Sequence, residues 1–245
     1  MRYILFAIFG MLPSLAWLFF YLHKDSHPEP KAMLFLVFLL GGVIGPIAVL
    51  IQFLAARIFE PFFYIIGLDN FIPQAISLLL LNIIIFAPLS EELLKYLVVK
   101  WQVLSNPAFD EPIDAMIYLI VSALGFAAVE NMLNIFLIPD VTAKLALSQS
   151  IARFLSATLL HALASGMLGY FLALSMLNFK KRKLLFWSGF AMATLFHSFY
   201  NYLVWLIEFN KIFVLALALL LIIMATIVGW QFRHLKKQVA ICKLR

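Results

Sequence analysis

Glu91, Glu92 and Lys95 stand together in an otherwise apolar stretch of the chain, and their side chains could perform acid–base chemistry. Glu91 and Lys95 are four residues apart with the acid on the amino-terminal side, so on a helix they can form an ion pair. Glu92 lies about 100° further around such a helix and can point elsewhere. A carboxylate beside a second carboxylate and an apolar wall suits a general acid or base. The alternative is an ordinary helix start, where acidic side chains interact favourably with the helix dipole.

Further polar residues lie in three later apolar runs. Glu130 and Asn131 follow four apolar residues, and no basic residue lies within one helical turn, so the partner of Glu130 must come from another helix. His161 precedes small residues at four-residue spacing, which indicates close helix packing. His197 and Asn201 share a helix face, where Asn201 could orient a neighbouring group or bind an oxyanion. A structural hydrogen bond is the alternative interpretation in each run.

Together these side chains could form a hydrolytic site. Glu91 or Glu92 would activate a water molecule, while His161 and His197 hold it and stabilise an oxyanion. We expect this chemistry to need no metal. Zinc is the alternative because glutamate and histidine are zinc ligands, and His161, His197 and Glu130 would then bind it. The predicted catalytic residues are Glu91, Glu92, Glu130, His161 and His197, with Lys95, Asn131 and Asn201 in supporting positions.

Other hydrolytic motifs are absent or incomplete. The chain lacks the His-Glu-x-x-His spacing of zinc proteases and the Gly-x-Gly-Asp element of aspartate-dependent intramembrane proteases. Leu163-Ala164-Ser165-Gly166 departs from the Gly-x-Ser-Gly element of serine-type intramembrane proteases at its first residue. Cys242 is the one cysteine, which excludes a disulfide framework within the chain or a cysteine-based metal site.

The composition indicates that these residues are held by membrane-spanning helices. Of 245 residues, 65% are hydrophobic and 12% are charged, whereas soluble domains carry about 25% charged residues. A soluble enzyme is therefore excluded, and so is disorder, because disordered chains are poor in large apolar residues. The net charge of +6 is not spread over a basic face, so we expect no nucleic-acid partner. The remaining class is an all-α, polytopic integral membrane bundle.

Apolar runs of membrane-spanning length predict about seven transmembrane helices in one domain covering residues 1–245. The first is expected to be a retained anchor. The motif-bearing core covers about 72–207, and a basic tail covers about 232–245. The predicted spans are roughly 3–22, 32–59, 72–104, 113–138, 148–178, 184–207 and 211–231.

The third span is too long for a simple crossing, and Pro88 interrupts it. We expect a broken helix in which Ser90 caps the second half and Glu91 and Glu92 lie in its first turn. Irregular backbone at membrane depth needs surrounding protein or a water-filled cavity. Because ionisable groups facing lipid are costly, we expect the acids and histidines of spans three to six to face one internal chamber.

Basic residues predict the orientation. Lys180–Lys183 and the carboxyl-terminal tail should both be cytoplasmic, with two spans between them. Counting back places the amino terminus outside the cell.

Four motifs in order resemble the PrsW family: Glu-Glu-x-x-Lys at 91–95, Phe-x-x-x-Glu-Asn at 126–131, His161, and His-x-x-x-Asn at 197–201. The resemblance covers about residues 88–205. The acidic residues Asp110, Glu111 and Asp114 also resemble a feature of this family. The related CAAX-protease group has arginine where this chain has Tyr96. The resemblance implies a prokaryotic plasma-membrane protease, of glutamic or metal-dependent type, that cleaves a membrane-anchored protein such as an anti-sigma factor.

Two other functions remain open from the sequence. Broken helices and buried acids also occur in ion-coupled transporters, although no inverted repeat is evident. A non-catalytic membrane scaffold also occurs in this superfamily, but that scaffold lacks the paired glutamates. The expected partners are the lipid bilayer and a membrane-anchored protein substrate; the sequence leaves the oligomeric state open.

Overall fold

The computed structural model describes residues 2–24, 27–65 and 74–237, and every regular element in these ranges is helical. Cys242 and the end of the basic tail lie outside the described residues. The helices are α1 Arg2–Leu22, α2 Lys31–Ile65, α3 Gln74–Leu81, α4 Ala87–Gln102, α5 Asp114–Phe136, α6 Ala143–Leu155, α7 Ala157–Leu177, α8 Arg182–Ile207 and α9 Phe213–Leu235.

Seven helical segments of the described chain are long and apolar enough to cross a membrane, which confirms the predicted number. Two of these crossings are composite. The third, Ile76–Gln102, joins α3 to α4, and the fifth, Ala143–Leu177, joins α6 to α7. The sequence analysis did not predict the second junction, where the backbone leaves helical geometry at Ser156.

Two helices form the centre of the bundle. In the most apolar windows of the fourth and fifth crossings, 78% and 83% of residues are buried, against 22–33% in the other five. The central α5 packs most extensively against α7, α2 and α1. Glycines allow this contact: a Cβ atom at Gly125 would lie 1.9 Å from the carbonyl oxygen of Phe38, and one at Gly169 would lie 2.6 Å from that of Ala115. The helices therefore meet backbone to backbone.

The third crossing is distorted at Pro88 without a gap. Asn82–Phe86 forms a π-helical segment between α3 and α4, and Pro88 occupies the start of α4. The expected cap by Ser90 is wrong, because its hydroxyl donates back to the carbonyl oxygens of Phe86 (2.6 Å) and Ala87 (3.2 Å). The predicted first-turn position of the two glutamates is also wrong: α4 begins early enough to place them in its second turn.

Polar side chains of α8 hold this π-helical segment. Since proline has no backbone N–H, Pro88 leaves one carbonyl group of the preceding turn without its usual donor. Asn201 donates to the carbonyl oxygen of Ile83 (2.9 Å), and Ser198 donates to that of Ile84 (2.5 Å). A backbone distortion inside the membrane is thus satisfied from a neighbouring helix.

Candidate active site

All five predicted catalytic residues meet in one buried polar cluster. The supporting residue Lys95 lies among them, and the contacts join helices α4, α5, α7 and α8. Spans three to six were predicted to pack around a shared chamber, and in the structure these side chains lie within contact distance of one another. Their catalytic roles remain predictions.

Glu92 is the fully buried centre of this cluster. Its Oε1 accepts a hydrogen bond from Lys95 Nζ (2.8 Å) and lies 3.1 Å from Nδ1 of His197. Its Oε2 accepts from the hydroxyl of Ser165 (2.7 Å). Both carboxylate oxygens are engaged, so Glu92 connects three helices and has little capacity left for a substrate.

Glu91 is arranged differently. Its Oε1 accepts from the amide Nε2 of Gln52 in α2 (3.3 Å). Its Oε2 is buried and has no hydrogen-bond partner among the described residues. Lys95 Nζ lies 3.7 Å from this oxygen, so the expected Glu91–Lys95 pair is longer than the contact that Lys95 makes with Glu92. An unpaired buried carboxylate oxygen is costly unless a ligand, water or ion completes it.

The two histidines are oriented by carboxylates on their far sides. His161 lies between Lys95 Nζ, 2.9 Å from Nδ1, and Glu130 Oε2, 2.7 Å from Nε2. A lysine ammonium can only donate, so Nδ1 accepts and Nε2 carries the proton that it donates to Glu130. In His197, Nδ1 faces Glu92, which leaves Nε2 as the nitrogen that faces Glu91 Oε2 at 3.7 Å.

Glu130 receives the partners from other helices that the sequence analysis required. Besides His161, it pairs with Arg153 of α6, whose Nη2 lies 2.8 Å from Oε1. Arg153 also donates through Nε to Asn131, and Asn131 donates to Thr158 (3.0 Å). Sequence analysis missed Arg153, although a single basic residue within the apolar fifth span was an available signal. It also missed Gln52, whose amide gave no comparable signal.

The cluster opens on one side into a cavity of about 400 Å³. Glu91, Glu130, His161 and His197 face this cavity, whereas Glu92 and Lys95 are absent from its wall. Arg153 and Asn201 contribute to the same wall, together with apolar residues of α3, the π-helical segment and α8. The cavity wall therefore combines ionisable and other polar groups with apolar side chains, as ligand sites commonly do.

Three ligand atoms in this cluster are close enough to share a metal ion. One atom from each of Glu91, His161 and His197 lies within 4.8 Å of the other two. The metal alternative of the sequence analysis named Glu130 as the third ligand. In the structure Glu130 contacts Nε2 of His161 and the Arg153 guanidinium, on the side away from the three ligand atoms. Glu91 is therefore the third candidate ligand instead of Glu130. The Glu/His donor set is one that zinc uses, and Oε2 of Glu91 has no hydrogen-bond partner among the described residues. Nδ1 of His161, the nitrogen on this side, already accepts from the Lys95 ammonium at 2.9 Å, so a metal ion would have to displace that contact.

The fold and the cluster define a class of protein: a multi-pass membrane protein that holds carboxylates and histidines, the residues of water-activating hydrolases, around a cavity within its helices. A family model described as PrsW family intramembrane metalloprotease matches residues 29–229. The chain belongs to this family of intramembrane proteases, as its four motifs predicted.

Curated relatives carry the same family name. The chain is 29% identical to the Protease PrsW of Geobacillus kaustophilus over 79% of this chain and 77% of that protein. It is 26% identical to the Protease PrsW of Clostridioides difficile over 91% of this chain and 86% of the relative. The corresponding protein of Oceanobacillus iheyensis is 28% identical over 79% and 80% of the two chains. No solved structure matches the chain.

Proposed function

We propose that this protein is an endopeptidase that cleaves a single-span, membrane-anchored protein with a water molecule activated by Glu91. The observation that carries the proposal is the difference between the two adjacent glutamates. Glu91 lines the cavity and has a buried oxygen, Oε2, without a hydrogen-bond partner among the described residues, whereas both oxygens of Glu92 are engaged and Glu92 is absent from the cavity wall. Of the two predicted carboxylates, Glu91 is thus the one that borders the space a substrate would occupy.

The surrounding groups suit amide hydrolysis. Glu91 would take a proton from the attacking water and later deliver it to the departing amine. His197 Nε2, 3.7 Å from Glu91 Oε2, would accept a hydrogen bond from the same water and orient it. Arg153 lies at the cavity wall, where it pairs with Glu130 and so would help to hold His161 in place.

The substrate class follows from family membership and the position of the site. A cavity surrounded by membrane-spanning helices favours a substrate that is itself in the bilayer. The resemblance to PrsW proteases favours a single-span regulatory protein of the anti-sigma-factor type. Comparing the membrane proteomes of cells with the active enzyme and with the Glu91→Gln variant would identify this substrate as a single-span protein that accumulates intact in the variant.

Glu91→Gln tests the proposed role directly. The amide retains the shape and the contact with Gln52 but cannot accept the proton of water. We expect cleavage in membranes to fall by at least about 100-fold, the usual contribution of a general base, with thermal stability unchanged. Glu60→Gln is the matched control, because its exposed pair with Arg57 contributes little to stability. Undiminished cleavage by Glu91→Gln would contradict the proposal.

A metal-dependent form of the same hydrolysis is the second candidate, favoured by the convergence of Glu91, His161 and His197. Zinc bound there would polarise the scissile carbonyl and acidify water. Glu130 and Glu92 face the second nitrogens of the two histidines, as carboxylates do at many zinc sites. Elemental analysis of purified protein decides between the candidates. A metal-dependent enzyme contains one equivalent of metal, loses it in His197→Gln, and is inactivated by a chelator; a glutamate-dependent enzyme cleaves without metal.

A further inference from the structure

A second cavity lies between α1, α7 and α9, away from the polar cluster. Its volume is about 450 Å³, and none of the predicted catalytic residues contributes to its wall. The interior is largely apolar. Its lining includes the aromatic residues Trp17, Phe20, Tyr21 and Phe232 and the aliphatic residues Leu159, Leu163 and Val228.

Three basic residues form the polar part of this cavity: Lys24, Arg233 and Lys236. Lys24 follows the end of α1, and the other two lie at the end of α9, so the cations are contributed by two helix ends. The ammonium group of Lys24 is held 4.6 Å above the ring of Phe20, at the cavity wall. Within the described ranges, no carboxylate lies within 4.0 Å of any of the three. Among the described residues, the positive charges of these three side chains are therefore not offset by an ion pair.

Gly229 provides an independent sign that the apolar part of the cavity is open. This residue lines the cavity, and a Cβ atom built on it would meet no other atom within 4 Å. Other glycines of the bundle, such as Gly10 and Gly189, would bring a Cβ atom to 2.5 Å or less from a neighbouring side chain. The space beside Gly229 is thus open where the residue borders the cavity.

We propose that this cavity binds one anionic phospholipid. Its acyl chain lies beside Gly229, and its phosphate contacts Lys24, Arg233 and Lys236. The chemistry is matched at both ends, because an apolar cavity accepts a hydrocarbon chain and a basic pocket between transmembrane helices binds an acidic head group. Positive charge at a cytoplasmic helix end is common for reasons of orientation alone. Here the cations line a cavity with largely apolar walls, which orientation does not require.

Native mass spectrometry of the delipidated protein tests the proposal, with phosphatidylglycerol and phosphatidylcholine as the probes. We expect one phosphatidylglycerol to bind at least tenfold more tightly than phosphatidylcholine. The triple variant Lys24→Gln, Arg233→Gln, Lys236→Gln should lose this preference. The matched control replaces Lys180, Lys181 and Lys183 by glutamine, which removes the same charge from exposed positions outside the cavity. An equal loss in both triple variants would overturn the proposal, because it would indicate general surface attraction.

Two further arms separate a lipid from a free anion. Gly229→Phe fills the apolar space without changing any charge, and we expect it to abolish phosphatidylglycerol binding while the protein keeps its unfolding temperature. Inorganic phosphate should neither compete with the lipid nor raise the unfolding temperature of the wild-type protein. Retained lipid binding in Gly229→Phe, or full competition by phosphate, would contradict the proposal. Binding is measured without substrate, so the result does not depend on the proposed peptidase activity.

Discussion

At the scale of residues, the site depends on the unequal surroundings of two adjacent glutamates. Glu92 connects Lys95, Ser165 and His197 inside the protein, whereas Glu91 reaches the cavity. A buried ion pair contributes little net stability, but removing one partner leaves the other charged and unsolvated. Glu92 and Glu91 should therefore respond differently to the same substitution.

We predict that Glu92→Gln destabilises the protein, in contrast to Glu91→Gln. The substitution leaves the fully buried ammonium of Lys95 without its nearest carboxylate, at an expected cost of about 3–5 kcal/mol. Lys95→Met combined with Glu92→Gln removes the uncompensated charge and should recover most of this loss. Chemical unfolding in detergent measures both variants. A double variant no more stable than Glu92→Gln would show that the charge pair is not the cause.

Arg153 is predicted to act on the reaction through Glu130 and His161. Its guanidinium pairs with Glu130, which in turn fixes the orientation of His161. Removing such an outer partner commonly costs about 10–100-fold in activity, and we expect Arg153→Gln to lower kcat by this factor with little change in KM. Arg153→Lys should restore part of the rate, because it keeps the charge but loses the contact with Asn131. Equal rates in both variants would argue against a role for the charge.

Sequence analysis could find the residues of the site but not their division of labour. Glu91, Glu130, His161 and His197 are visible because ionisable groups are rare in apolar spans. Which of the two glutamates faces the cavity depends on the rotation of α4, and the π-helical segment before Pro88 changes that rotation. Arg153 comes near Glu130 because the fifth crossing is interrupted at Ser156, and the apolar pattern gave no sign of this junction.

At the scale of elements, α8 holds the π-helical segment that precedes α4. Asn201 was expected to orient a reacting group or bind an oxyanion, and in the structure its amide donates to the carbonyl of Ile83. In the π-helical register Ala87 N bonds to Asn82 O, so the next amide would have served Ile83. That residue is Pro88, which has none. Asn201 therefore supplies the hydrogen bond that Pro88 cannot make.

Because the Asn201 amide replaces the backbone donor that Pro88 lacks, we predict that the effects of mutating Asn201 and Pro88 on the free energy of unfolding are coupled. Asn201→Ala should destabilise the protein by about 1–3 kcal/mol, because the Ile83 carbonyl is left without a donor. In a Pro88→Ala background the restored amide can reach that carbonyl, and the same substitution should cost at least about 1 kcal/mol less. Unfolding measurements on the four proteins give the coupling. Equal costs in the two backgrounds would contradict the assignment.

At the scale of the whole molecule, the membrane enzyme surrounds α5 and α7 with less buried helices, and its charges indicate how it is inserted. Lys180 and Lys181 lie between α7 and α8, while Arg233 and Lys236 lie at the end of α9. An even number of crossings, α8 and α9, separates the two basic regions, so both can lie on the same side. From the positive-inside tendency we predict that this side is the cytoplasm, and that Asp140, between α5 and α6, lies outside.

Cysteine labelling tests this orientation because the chain has a single cysteine. In a Cys242→Ser background, cysteines introduced at Asp140 and at Lys181 occupy exposed positions on opposite sides of the predicted bilayer. We expect a membrane-impermeant maleimide to label Asp140→Cys in intact cells. The same reagent should label Lys181→Cys only after the cells are permeabilised. The physical reason is that the energy of moving lysines and arginines across the membrane fixes the topology during insertion. Labelling of Lys181→Cys in intact cells would show that the orientation is the opposite of the predicted one. The cations of the proposed lipid site would then lie on the outer surface.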